Sequence, residues 1–225
     1  MKGFKNDITL GNGIYTIPDL AFILRLPPQK VRRWMNDFWD VRIGDKYKEK
    51  YSWGEGRDKA TNFYTLIEFY VFYQLREHNV GTKTILAAHE SMASQLHTPY
   101  PFATSQVLTD GKHILYSLED GTTINADKSL QIAFKEIIES FCRKIEFSSD
   151  KLAERYYPLG KKHKIIVDPH HQFGQPTIAD TNLLAQTIYQ LYSAGESKAF
   201  LSRLYNISDK EINDAVSFFS IKKAA

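Results

Sequence analysis

The chain has 225 residues, of which 43% are hydrophobic and 24% charged, and its formal net charge is +3 at pH 7. These ordinary globular values exclude a wholly disordered chain, and the small charge means that any nucleic-acid surface must be a local basic cluster. The single cysteine, Cys142, excludes an intrachain disulfide and a cysteine-rich zinc site. We see no signal peptide and no apolar run near the roughly 20 residues of a membrane helix, so we expect a cytoplasmic protein without a membrane partner.

Residues 15–35 predict a helix-turn-helix. Pro18 suits the first turn of a helix, where its missing N–H is not needed, and Thr16 or Ile17 would be the cap. The run Leu26-Pro27-Pro28 should end this helix, because a residue before proline is pushed out of the α region. Its last proline can then begin the second helix.

The second helix carries a basic outer face. Between Arg25 and Met35 the sequence has four cations and no acid. Arginine can pair with guanine, glutamine with adenine, and lysine with phosphate, so this face fits the major groove of DNA. The residues that we expect in the groove are Gln29, Lys30, Arg32 and Arg33. An ordinary helical hairpin with a solvated basic face is the alternative interpretation.

Residues 37–62 predict a β-hairpin, because apolar residues alternate around glycine-containing turns. Trp39, Val41 and Ile43 would belong to its first strand. In a winged helix-turn-helix, this hairpin is the wing that lies along the DNA backbone. We therefore expect phosphate contacts, which position a protein without reading sequence, from Lys46, Lys48 and Lys50. A solvated basic hairpin remains the alternative.

A largely apolar helix is predicted from Thr65 to His78, with Thr65 and Glu68 at capping-box spacing, and another helix begins at Thr82. The helix-turn-helix, the wing and the element Leu-Arg-Glu-His-Asn-Val-Gly followed by Thr-Lys-Thr-Ile-Leu resemble the DNA-binding domain of MerR-type regulators over residues 14–95. This resemblance implies operator binding. No long dimerisation helix with a metal- or drug-binding loop follows, which argues against a typical metal sensor.

The middle of the chain predicts a small sheet. Turn signals stand at 109–112 and 119–121, a helix is predicted over 129–141, and Ile145 and Phe147 indicate a strand. Residues 152–157 should be extended or turning.

The last part predicts a strand at 165–167 and three helices near 180–193, 197–205 and 208–219. The predicted helix signals are Thr181 at the start of the first helix, Gly195 as its C-cap, Ser197 at the start of the second, and Ser208 with Glu211 as a capping box on the third.

The last part also carries a second resemblance. The segments Ile-Val-Asp-Pro at 166–169, Phe-Gly-Gln-Pro-Thr-Ile at 173–178, Ala-Gly-Glu-Ser at 194–197 and Leu-Tyr-Asn-Ile-Ser at 204–208 are similar to a small bacterial family known as domain of unknown function 433. The resemblance implies a helix-turn-helix-like bundle found in antitoxins whose toxin partners are PIN-like ribonucleases. It therefore implies a DNA-binding antitoxin of a type II toxin–antitoxin module, which represses its own operon and neutralises such a toxin.

We thus predict an α+β fold, mainly α, in three parts. Residues 1–97 would be the MerR-like winged helix-turn-helix domain, residues 98–160 a middle α+β linker or dimerisation region, and residues 161–225 the antitoxin-like helical domain. We expect a homodimer that reads an inverted repeat in double-stranded DNA, because two-fold protein symmetry needs two half-sites.

Other chemistry finds little support in the sequence. Asp168, His170, His171 and His163 could suggest a metal site, but adjacent histidines in an extended segment point in opposite directions. The chain has no Gly-x-Ser-x-Gly, P-loop or His-Glu-x-x-His motif. We therefore expect no enzyme activity, no catalytic residue, no metal and no cofactor.

Two further functions stay open. One is a MerR-like regulator without a toxin, which would sense a small molecule through residues 98–160 in a pocket enclosed by Tyr116, Phe134 and Phe141. The other is an interaction module in which the helix-turn-helix units are scaffolds. In that case Arg32 and Arg33 would point into a protein interface.

Overall fold

The computed structural model describes residues 11–48, 50–106 and 143–221. Helices predominate over three small sheets in these segments, which confirms the predicted α+β, mainly α class. The turns, strands and helix predicted between 109 and 141 lie outside the described residues, as do Cys142 and the aromatic residues of the predicted small-molecule pocket.

The predicted helix-turn-helix geometry is present. Strand β1 (Tyr15–Thr16) leads into helix α1 (Ile17–Leu24), and the Thr16 side chain caps α1 in a reciprocal capping box with Asp19. Arg25 ends the helix in the left-handed region, at φ 60°. Helix α2 (Pro28–Arg33) then begins at Pro28, where the missing N–H and the fixed φ of proline favour a helix start.

The chain stays helical after α2, where we had predicted a strand. The π-helical segment Trp34–Ile43 and helix α3 (Gly44–Tyr47) follow with helical backbone angles at both junctions. Trp39 is buried in this segment, and its ring centroid lies 4.6 Å from that of Phe69. The prediction of a hairpin starting at 37 was therefore wrong, because Trp39 and Ile43, four residues apart, are buried in a helical segment while Val41 between them is exposed.

A shorter hairpin does follow. Strands β2 (Ser52–Trp53) and β3 (Ala60–Thr61) are antiparallel, and β3 also pairs with β1, so the sheet order is β1-β3-β2. Helices α4 (Phe63–Glu77) and α5 (Thr82–Gln95) come next.

Helix α4 does not use the predicted capping box. Asn62 is the cap, and its side chain accepts the N–H of Thr65, which is buried inside the first turn. Glu68 is fully buried. Its carboxylate accepts the N–H of Phe102 at 2.8 Å and lies 2.6 Å from Nε2 of His89. A tertiary role for Glu68 thus replaced the local one that its spacing suggested.

A short 3-10 turn (Pro101–Ala103) closes the first described part. Strands β4 (Ile145–Phe147) and β5 (Ala153–Tyr156) form an antiparallel pair, which confirms the strand predicted at 145 and 147. Strands β6 (Ile165–Ile166) and β7 (Thr177–Ile178) form a second pair.

Three helices complete the described chain, namely α6 (Ala185–Ser193), α7 (Lys198–Tyr205) and α8 (Asp209–Ser220). The caps at Ser197 and Ser208 are confirmed. At the end of α6 the N–H of Gly195 donates to Tyr192 while its φ is 105°, as a glycine C-cap requires. The start predicted at Thr181 was wrong, because the Thr181 hydroxyl instead holds a turn through Ile178 and Leu183.

The buried apolar residues form two cores. The first extends from Tyr15 to Val167 and includes residues of β4 and β5, and the second extends from Ile165 to Phe218. Phe22 of α1 packs against both, and its ring centroid lies 5.3 Å from that of Phe218 and 5.0 Å from that of Phe219. The helix-turn-helix is therefore in direct contact with the last helix.

Candidate nucleic-acid and partner interfaces

Helix α2 presents two free polar side chains at its surface. Gln29 and Arg33 are exposed, and both can reach an external partner. Lys30 is half-buried, with Nζ 5.3 Å from the Trp34 ring centroid and 5.5 Å from that of Tyr73. The aromatic rings hold its ammonium group beside the helix, where it can still face phosphate.

Arg32 connects helix α2 to the hairpin. Its Nη1 donates to the carbonyl oxygen of Gly56 at 2.7 Å, so the loop between β2 and β3 lies next to the helix. Arg57 is exposed on this loop. The side-by-side placement of a basic helix and a hairpin loop is the arrangement expected of a winged helix-turn-helix, but the loop is at 54–59 rather than near 46.

Lys59 from the same loop has a structural role. Its Nζ donates to the Asn36 side chain at 2.8 Å and to Oδ2 of Asp40 at 2.9 Å. Asp40 is buried and also accepts from the backbone and hydroxyl of Ser52. This network attaches the hairpin to the π-helical segment and fixes the position of the loop.

The three predicted wing lysines do not lie in a hairpin. Lys46 belongs to α3, Lys48 ends that helix in the left-handed region at φ 57°, and Lys50 follows it, all three exposed. Thirteen residues separate Lys46 from Arg33, which is at most about 20 Å along a helix. The prediction that these lysines belong to the wing was therefore wrong, while their contact with phosphate stays a prediction.

Arg25, counted above among the cations of the basic stretch, faces the protein interior. Its guanidinium carbon lies 4.6 Å from the Phe22 ring centroid and 4.5 Å from that of Phe218, and Nη2 donates to the Phe218 carbonyl oxygen. Burial lowers the pKa of Arg25 from its ordinary value. This residue joins the helix-turn-helix to helix α8 and is not free to contact DNA.

The C-terminal bundle exposes apolar side chains on α6 and α7. Tyr192 is 37% exposed, Phe200 41% and Leu204 55%. Phe200 and Leu204 are four residues apart, so they lie on the same face of α7. Leu201 points into the second core instead. Large apolar side chains grouped on one outer face are typical of a protein-binding surface.

The polar residues that suggested a metal site are divided among separate contacts. His163 Nδ1 lies 2.7 Å from Asp214, whereas His171 Nδ1 lies 3.1 Å from Asp168. Within 11–48, 50–106 and 143–221, no group of three or more His, Cys, Asp or Glu side chains has a geometry that could hold a metal ion. No helix in these segments is long and apolar enough to cross a membrane.

Two contacts that join distant parts of the chain have no counterpart among the predicted site residues. Arg25 and Phe218 are 193 residues apart, and Arg155 and Asp168 belong to different elements. A positive φ at Arg25 and a buried aspartate after a strand carry no local sequence signal strong enough to identify these contacts.

The described fold thus contains an N-terminal helix-turn-helix with a hairpin beside it and a C-terminal bundle of three short helices. Residues 165–219 match the family model described as a protein of unknown function, DUF433, which confirms that resemblance. The resemblance of the N-terminal part to MerR-type regulators stays a prediction.

A curated protein and a solved structure, both from Mycobacterium tuberculosis, are similar to the chain over most of its length. The curated protein, named "Putative antitoxin VapB45", is 22% identical over 166 residues, which covers 68% of this chain and 69% of that protein. The crystal structure of Rv2018 superposes with a TM-score of 0.76 at 19% identity and covers 95% of this chain and 99% of that one. The structural likeness shows a shared fold.

Proposed function

We propose that the protein is a DNA-binding antitoxin that represses its own operon and neutralises a PIN-like ribonuclease toxin. The observation that carries the proposal is the coexistence, in one chain similar to a protein named as a putative antitoxin, of a basic helix with Gln29 and Arg33 exposed and of an α7 face with Phe200 and Leu204 exposed. The first suits DNA and the second suits a protein. The proposal includes no catalytic activity, metal or cofactor.

The DNA surface in this proposal is centred on α2. Gln29 and Arg33 read base edges in the major groove, while Lys30 and Arg57 contact phosphate on either side. Arg32 has a positioning role, because its bond to Gly56 keeps the hairpin loop beside the helix. Lys46, Lys48 and Lys50 contact phosphates farther along the duplex. A homodimer places two such surfaces on an inverted repeat.

The DNA part is tested by fluorescence anisotropy with a duplex from the protein's own upstream region and a scrambled duplex, across a salt series. We expect selective binding that weakens steeply with salt. Arg33→Ala should cost about 1–3 kcal/mol and reduce discrimination between the duplexes. Lys48→Ala should lower the salt slope by about one unit and leave discrimination unchanged.

Arg203→Ala is the matched control, since Arg203 is exposed on α7 of the C-terminal bundle and not on α2. We expect wild-type affinity from this variant. Equal binding of wild type to both duplexes, or an Arg33→Ala variant indistinguishable from Arg203→Ala, would exclude α2 as a reading helix.

The toxin surface is the apolar face of α7 that carries Phe200 and Leu204, together with the exposed Tyr192 of α6. This face lies inside the segment that matches the DUF433 family. An occupant that is itself a folded protein can bury these side chains together, which adds about 25 cal/mol for each Å² of apolar surface removed from water. Leu201 is the buried residue of α7 within the described chain, which leaves the face with Phe200 and Leu204 available to a toxin.

The toxin part is tested by co-expression with the ribonuclease encoded next to the gene, with growth and copurification as readouts. The double variant Phe200→Ser, Leu204→Ser should fold, because both side chains are exposed, but should fail to protect the cell. Val41→Ser is the matched control, since Val41 is 56% exposed on the N-terminal part. Full protection by the double variant, or the absence of a neighbouring ribonuclease gene, contradicts this assignment.

A further inference from the structure

The outward face of helix α2 is set by its buried residue, Val31. At about 100° per residue, Gln29 and Arg33 lie about 40° apart around the helix axis, and Val31 lies opposite their midpoint. Val31 is fully buried in the first core, whereas Gln29 and Arg33 are both exposed. The part of α2 that can enter a groove of DNA is therefore centred between these two side chains.

Lys30 lies on one flank of this face and is held by aromatic rings. Its position is about 100° around the helix from Gln29, and its Nζ lies 5.3 Å from the Trp34 ring centroid and 5.5 Å from that of Tyr73. Movement towards a base edge would give up both cation–π contacts. Lys30 is therefore suited to a phosphate at the edge of the groove, which carries no sequence information.

Arg32 lies on the other flank, about 60° around the helix from Gln29. Its Nη1 donates to the carbonyl oxygen of Gly56 at 2.7 Å, in the loop between β2 and β3. An arginine reads guanine by pointing two parallel N–H donors at the base edge. The guanidinium of Arg32 is instead directed at the loop, so its role is to position the loop beside the helix.

The outward face is also bounded along the helix axis. Pro27 and Pro28, which are exposed just before Gln29, have no hydrogen-bonding group in their side chains. Asp37, four residues after Arg33, is exposed, and its carboxylate is repelled by the phosphates that line a groove. Within the described part of the chain, the side chains of Gln29 and Arg33 have no hydrogen bond or ion pair, so both are available to base edges.

We propose that α2 reads an element of two base pairs, one G·C and one A·T, in each half of its operator. This inference rests on the proposed DNA-binding function and names the sequence that the site takes. The Arg33 guanidinium donates to O6 and N7 of guanine, and the Gln29 amide accepts from N6 and donates to N7 of adenine. Four residues span about 6 Å of helix, and stacked base pairs are about 3.4 Å apart. The two pairs are therefore adjacent or separated by one base pair.

The number of reading side chains limits the selectivity of this site. A correct pair should improve affinity by about 5- to 140-fold over a wrong pair at the same position. A homodimer on an inverted repeat reads the element twice, so the side chains of the two α2 helices recognise four base pairs. The phosphate contacts should strengthen binding equally on every sequence.

The test is a scan of single base-pair replacements across the duplex from the protein's own upstream region, with affinity measured by fluorescence anisotropy. We expect each half-site to contain one G·C and one A·T position, adjacent or one pair apart, at which replacement weakens binding by this factor. Arg33→Ala should lose the preference at the G·C position and keep that at the A·T position, and Gln29→Ala should do the converse. The matched controls Arg203→Ala and Gln186→Ala, at exposed positions of the C-terminal bundle, should keep both preferences.

A base analogue separates direct contact from DNA shape. Replacement of the guanine by 7-deazaguanine removes the N7 acceptor but keeps the base pair, and should weaken binding of wild type but not of Arg33→Ala. The inference is overturned if Arg33→Ala or Gln29→Ala weakens binding equally at all positions, or if Lys30→Ala or Arg32→Ala abolishes one base preference. Selective binding through a different element overturns this inference alone, whereas equal binding of wild type to the upstream and scrambled duplexes overturns the proposed DNA-binding function with it.

Discussion

The substitution Arg25→Ala separates an internal role from a DNA-binding role for this cation. The wild-type guanidinium lies over the rings of Phe22 and Phe218 and donates to the Phe218 carbonyl oxygen. Removing it breaks contacts between α1 and α8. We therefore expect lower stability and unchanged recognition of DNA.

The size of the effect follows from these three contacts. Each guanidinium–ring contact contributes about 0.5–1 kcal/mol at partial exposure. A hydrogen bond from a charged donor adds about 1.5–3 kcal/mol, and we take the lower value because Arg25 is only partly buried. We expect the free energy of unfolding to fall by about 2.5–3.5 kcal/mol, which corresponds to a melting temperature lower by about 5–14 °C for a chain of this size.

The assay is urea unfolding followed by circular dichroism, with DNA anisotropy on the same samples. Arg25→Gly should recover about 1 kcal/mol relative to Arg25→Ala, because glycine adopts φ 60° without strain. Arg33→Ala is the control and should change stability by no more than about 0.5 kcal/mol, since its side chain is exposed. An Arg25→Ala protein of wild-type stability that loses selective DNA binding would refute the reasoning.

Three other substitutions test the remaining contacts. Gly174→Ala should destabilise the fold by more than about 2 kcal/mol in urea unfolding, because the added Cβ would lie 2.0 Å from the Tyr15 hydroxyl oxygen at a φ of +84°; an unchanged midpoint would contradict this packing. Ser208→Ala should cost about 1 kcal/mol through loss of the cap, measured by thermal unfolding, and no loss would mean that the capping box adds nothing. Burial alone would raise the pKa of Asp168, but the bonds from Arg155, the His170 N–H and His171 lower it in the folded state. The stabilising effect of Asp168 should therefore be present above about pH 4 and disappear as the pH falls further. Stability curves of wild type and Asp168→Asn should therefore converge in acid, and a constant difference would assign the effect to packing.

Local signals predicted much of the fold. Three helix starts were predicted correctly, those capped by Thr16, Ser197 and Ser208. In each, the side-chain oxygen of the cap accepts an N–H three residues later, so the start can be read from the local sequence. Pro28 begins α2 for an equally local reason. Local spacing did not suffice everywhere, because the start predicted at Thr181 and the capping box predicted at Thr65 were both wrong.

Predictions failed where a distant partner decided the outcome. Glu68 has capping-box spacing to Thr65, yet its carboxylate accepts the N–H of Phe102 and lies next to His89, which belong to other elements. Trp39 lies in an alternating apolar pattern, but it belongs to the π-helical segment and its ring packs against Phe69 and Phe72 of α4. A period of two over a few residues cannot be told from a short helical face until the packing partner is known.

For the candidate DNA surface on α2, the sequence predicted which residue types are present better than it predicted which side chains are exposed. Gln29 and Arg33 are exposed on α2 as expected, whereas Arg32 is engaged by Gly56. The ion pair between Arg155 and Asp168 had no sequence signal, because the two residues meet only once the chain after β6 pairs with β5 through Tyr156 and Val167.

The contact of Phe22 with Phe218 and Phe219 has a consequence for protein engineering and for evolution. Phe22 of α1 packs against α8, so the N-terminal unit, meaning the helix-turn-helix with its hairpin, cannot be fused to another protein without exposing Phe22. A working chimera would need the matching surface of α8 to be transferred with it. Natural recombination faces the same restriction, and we expect the two units to be inherited together, with changes at one face compensated at the other.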